Sequence, residues 1–163
     1  MIEELEAFTT TVEQVSITKT IVDLFMQHAA ETPDKVMFKK DDCTLTYSQV
    51  ADTASRLAAF IASKGIGKND AVAVMVGRNE WMLSATLGVL CSGAAYQPLD
   101  SSYPAQRLNF MMRDADVRLL IADRDLPIEL EEDLKEKIQI LYTDEIASLP
   151  GADRNAIASP DPD

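Results

Sequence analysis

Few residues in this chain have the types that could do chemistry, and their spacing rules most of them out. The single histidine, His28, lies far in sequence from both cysteines, Cys43 and Cys91, and the cysteines form no Cys-x-x-Cys pair. A zinc centre needs more ligands than these, at set spacings, so no metal site follows. His28 also stands alone as a general base for a serine nucleophile and reads as a packed or surface residue. Cys91 sits in an apolar run and reads as a small buried hydrophobe. Two thiols without a disulfide framework fit a reducing, cytoplasmic setting.

The remaining candidates are charged. Glu129, Glu131, Glu132, Asp133 and Glu136 form an acidic run. It lacks the alternating Asp/Asn and central Gly of an EF-hand loop. A solvated helix face explains it, with carboxylates in the first turn where the helix dipole favours them. Asp123 follows an apolar stretch, as a phosphoacceptor would, but no acidic cluster precedes it on an earlier strand. There are only six glycines, with no GxGxxG after a strand and no GxxxxGK[ST]. Gly65-Ile66-Gly67 follows a helix and is a connector. Arg78, beside a helix start at Asn79, could attract an anion there, against the simpler reading of an exposed loop arginine.

The elements that must carry these residues are clear. Ile21, Leu24, Phe25 and His28 recur at helical spacing from Thr20, and Pro33 ends that helix. Val36-Met37-Phe38 and Leu45 flank a polar turn at Lys40-Asp41-Asp42 and predict a hairpin. Thr46-Tyr47-Ser48-Gln49 is a capping box, followed by the apolar face Val50, Ala54, Leu57, Ala58 and Ile61, with Gly65 as a left-handed stop. Then strands alternate with helices: a strand at 71–76; a helix from Asn79 to a stop at Gly93; a buried strand at 94–99; a helix after Pro104 with Leu108, Met111 and Met112 inward; a strand at 118–122; a helix at 130–137; and a strand at 138–142. This alternation predicts a mostly parallel sheet flanked by helices, with ligand space beyond the strands' carboxyl ends at Gly77-Arg78-Asn79 and Asp100-Ser101-Ser102. A short helix over Ile2 to Phe8 leads in, and Asp153 to Asp163 reads as an exposed linker.

Composition sets the outer limits. The 163 residues, 47% hydrophobic and 26% charged, suffice for one α/β domain and not two. A net charge of −12 excludes nucleic acid and an anionic membrane face as partners. The start, MIEELEAF, has no basic region followed by an apolar stretch, so it is not a signal peptide. The uncharged stretch from Met82 to Leu99 is broken by Gly88, Gly93, Gln97 and Pro98, and fits helix, turn and strand better than a membrane span.

Three stretches then point to a family. Leu45-Thr46-Tyr47-Ser48-Gln49-Val50 resembles the first core motif, L-T/S-Y-x-E-L, of nonribosomal peptide synthetase adenylation domains, with Gln49-Val50 in place of Glu-Leu. Leu90-Cys91-Ser92-Gly93-Ala94-Ala95-Tyr96-Gln97-Pro98-Leu99-Asp100 resembles the second, L-K-A-G-x-A-Y-x-P-L/I-D, with Cys91-Ser92 replacing Lys-Ala. Tyr103-Pro104-Ala105-Gln106-Arg107-Leu108 is similar to the family's Tyr-Pro-x-x-Arg-Leu continuation. The opening helix, Thr18 to Phe25 followed by Thr32-Pro33-Asp34, agrees, so the resemblance covers Lys19 to Ala122.

The resemblance implies the fold of a partial N-terminal subdomain of an adenylate-forming enzyme. Residues 1–19 would be lead-in, 20–152 the adenylation part, and 153–163 a linker before the phosphate-binding loop. It implies a parent ligase that uses ATP and Mg²⁺ to make an aminoacyl adenylate, then a thioester on the phosphopantetheine arm of a carrier domain. The family's phosphate loop, amino-acid pocket, metal-binding acid and C-terminal lysine have no counterpart here. No catalytic, cofactor-binding or metal residue is therefore expected in this chain, which would be inactive alone. Its partners would be the missing remainder of the adenylation domain, the carrier, ATP and an amino acid. A D-alanine–carrier ligase or acyl-CoA synthetase fragment, and a non-catalytic α/β interaction module, are the alternatives.

Overall fold

A computed structural model describes residues 19–152. The expected helix over Ile2 to Phe8 and the linker from Asp153 lie outside them. Helix α1 (Ile21–Glu31) opens with a capping box between Thr20 and Asp23. Strands β1 (Val36–Lys40) and β2 (Cys43–Thr46) form the expected antiparallel hairpin, turning at Asp41 with φ 50°. Helix α2 (Tyr47–Ser63) follows at once: Thr46 Oγ1 accepts from the Gln49 amide, and Gln49 Oε1 accepts from the Thr46 amide at 2.8 Å. Its predicted apolar face is fully buried, and Gly65 takes the left-handed φ of +67° that ends it.

The rest is a four-stranded parallel sheet with β3 (Ala71–Met75), β4 (Ala95–Pro98), β5 (Leu119–Ala122) and β6 (Gln139–Tyr142) in the order β4-β3-β5-β6. The connections carry α3 (Trp81–Cys91), α4 (Ala105–Asp114) and the single turn α5 (Glu132–Lys135). A 3-10 helix, Thr143–Ser148, follows β6. Because side chains alternate along a strand, the central strands feed two cores. Val72, Val74, Leu119 and Ile121 pack with Leu57 and Ile61 of α2 and Ala85 and Val89 of α3. Ala73, Met75, Leu120 and Ala122 pack with Leu108 and Met112 of α4 and Leu134 of α5. A third cluster joins Val22, Phe25 and Ala29 of α1 to Val50, Ala51 and Ala54 of α2.

Two expectations need correction. The strand at 94–99 is not buried on both faces: β4 is the sheet edge, and Ala95, Tyr96 and Pro98 are exposed. Pro98 is tolerated there because an edge position needs no outward N–H. The helix expected over 130–137 shrinks to Glu132–Lys135. At the C-terminal end a turn closes it, the Lys137 and Ile138 amides both donating to the Leu134 carbonyl, and buried Asn109 accounts for the late start. Its amide donates to the Glu129 carbonyl at 2.7 Å and accepts from the Glu131 amide at 2.9 Å, occupying the backbone groups that a longer helix would use. The helix read from Thr20 is present as α1, in which Ile21 and Leu24 are 64% and 45% exposed, while Val22, Phe25 and Ala29 form the buried face.

Candidate functional site

The carboxyl ends of the strands, where a sheet of this kind receives ligands, are organised by Asp123. This buried residue follows β5 directly. Its Oδ2 accepts from the Gly77 amide and from Asn79 Nδ2, both at 2.8 Å, and its Oδ1 accepts from Thr143 Oγ1 at 2.8 Å. Asn79 in turn accepts from the Trp81 amide at 3.0 Å, an Asx turn that leads into α3, whose N-cap is Glu80. One carboxylate thus ties together the chain ends after β3, β5 and β6 and sets the entry to α3.

The other charged candidates are engaged nearby. The Arg78 carbonyl accepts from Lys40 Nζ at 2.6 Å. Asp100 accepts from the Ser102 amide at 2.9 Å, which chiefly holds its carboxyl below the ordinary range, and the Arg78 charge adds to this. In the second motif's extension, the Arg107 guanidinium lies 4.2 Å from the Tyr103 ring centre, a cation–π contact at the start of α4. The acidic run pairs with base: Arg113 bridges Glu131 and Asp133, and Lys135 pairs with Glu132. Among the described residues no group of three or more His, Cys, Asp or Glu is arranged to hold a metal ion. His28 is exposed on α1, with its ring 5.8 Å from that of Tyr47. Burial pushes the Cys91 thiol up to about 11, far from a reactive thiolate.

The second feature is an apolar groove of about 540 Å³ between α1, α3 and the β4 edge. Leu87, Leu90 and Val74 contribute to it, along with Leu24, Met82 and Tyr96. Sequence reading placed the residues on their elements but missed the groove and the Asp123 clamp. The clamp left one signal: Asn79, Asp123 and Thr143, short side chains rich in hydrogen-bonding groups, all fall just past strand ends.

Comparison with known proteins agrees with the motifs. Residues 25–162 match the family model of the AMP-binding enzyme. Dimodular nonribosomal peptide synthase of Bacillus subtilis (strain 168) is 36% identical over 115 residues, covering 71% of this chain and 5% of that protein. Bacitracin synthase 1 of Bacillus licheniformis is 34% identical over 153 residues, covering 94% of this chain and 3% of that protein. The chain therefore spans only a few hundredths of the length of these relatives. Among solved structures, the FmoA3 nonribosomal peptide synthetase in its AMPPNP-bound form aligns with a TM-score of 0.74 at 22% identity, over 85% of this chain and 14% of that one. This likeness extends the agreement to the fold. The chain belongs to the AMP-binding enzyme family, and it carries the N-terminal part of an adenylation domain of the nonribosomal peptide synthetase type.

Proposed function

We infer that this chain is the architectural front portion of an amino-acid-activating ligase. The parent joins ATP and an amino acid to give an aminoacyl adenylate, then passes the acyl group to the phosphopantetheine thiol of a carrier domain. One observation carries the reading most directly. The second motif and its extension form a continuous unit: the end of α3, Gly93 with φ +81°, β4, the Asp100 turn and the Tyr103–Arg107 contact. Gly93, Asp100, Tyr103 and Arg107 serve a turn or a ring contact in it, and the motif it forms resembles that of a family whose members include peptide synthetases 34% and 36% identical to this chain.

Residues 20–152 are proposed as the adenylation part, flanked by lead-in and linker segments. Catalytic residues, nucleotide contacts and the Mg²⁺ site lie in the rest of the parent. No step of the reaction is assigned to a residue of this chain; the Asp123 carboxylate at its strand ends is taken up by the Gly77 amide, Asn79 and Thr143. Among the described residues no helix is long and apolar enough to cross a membrane; a cytoplasmic setting is proposed on the sequence grounds above. The test is amino-acid-dependent ATP–pyrophosphate exchange, run on this chain and on the product of the same reading frame extended past Asp163. Exchange in the longer protein alone, with one or a few amino acids, is the expected result. Silence from both, or turnover by the short chain, would refute the proposal.

A further inference from the structure

We draw no further inference here: the strongest candidate, the exposed cations Lys40 and Arg78 at the strand-end turn before α3, rests on hydrogen bonds within that turn and on the start of a helix, and nothing in the structure points to an anion as its occupant.

Discussion

Replacing Gly88 by alanine tests whether the packing of α3 on α2 holds this unit together. A methyl carbon built at Gly88 meets Leu57 Cδ2 at 2.6 Å, Cβ at 2.8 Å and Cγ at 2.9 Å, all below the 3.0 Å that real Cβ atoms essentially never cross. Leu57 is fully buried, and its Cβ is fixed to the α2 backbone, so rotating the side chain cannot clear the contact. Overpacking of this kind costs about 1–3 kcal/mol. Alanine returns about 1 kcal/mol through its better helix propensity. Because one of the three clashes cannot be relieved by a rotamer change, the upper half of the penalty range applies, and the net loss is about 1–2 kcal/mol. With a urea slope of roughly 2 kcal/mol per molar, the unfolding midpoint should fall by about 0.5–1 M. The Leu57→Ala background gives the internal control. It costs about 2–5 kcal/mol by itself but deletes Cγ and Cδ2, so adding Gly88→Ala there should cost about 1 kcal/mol less than in the parent chain. A Gly88→Ala chain as stable as the parent, or strict additivity of the two changes, would show that α2 and α3 do not meet as closely as described.

Two further outcomes follow from the charged groups. Asp123→Ala strands the Gly77 amide, the Asn79 amide group and the Thr143 hydroxyl and should cost about 3 kcal/mol, whereas Asp123→Asn keeps an oxygen for the first two and should cost about 1.5 kcal/mol or less; equal urea midpoints for the two variants would contradict the clamp. Acid should also destabilise the chain. The Arg113 guanidinium beside Asp133 and the Arg124 guanidinium beside Asp144 hold both carboxyls below their ordinary value of 3.8. A lowered folded pKa contributes stability that is complete above the ordinary value and is lost as pH falls through the folded one, so the urea midpoint should drop below about pH 4. Both carboxylates are exposed, which keeps the drop shallow. It should be shallower still in Arg113→Ala, and a steeper acid loss in that variant would reverse the argument.

How much of this was legible in the sequence differed by element, for physical reasons. α2 could be read almost residue by residue, because its capping box and glycine stop are local and its apolar face is met by the chain's own sheet and helices. β3 and β5 were equally clear as unbroken apolar runs, since both lie inside the sheet with helices on each side. The over-long helix at 130–137 failed through a contact 20 residues away: Asn109, a polar residue on an otherwise ordinary helix, holds the Glu129–Glu131 backbone in place. The clamp escaped for the same reason. Gly77, Asn79, Asp123 and Thr143 meet only after three strands align, and no local pattern joins them.

The misreading of β4 as buried on both faces has a cause that α1 also shows. Periodicity identifies an apolar stripe but not what covers it. In α1, Ile21, Val22, Leu24 and Phe25 are apolar around more than one side of the helix. One side, through Val22 and Phe25, packs on α2; the other, through Ile21 and Leu24, opens on the groove. A helix at the surface of a finished unit needs a single apolar side, and one lying between two layers needs two. β4 repeats the pattern, with an apolar run suited to a strand between neighbours but a neighbour on one side only. Two elements from different parts of the chain carry an interior sequence, and they adjoin the same groove. Their sequence reads as interior, whereas among the described residues one side of α1 and the outer edge of β4 face the groove.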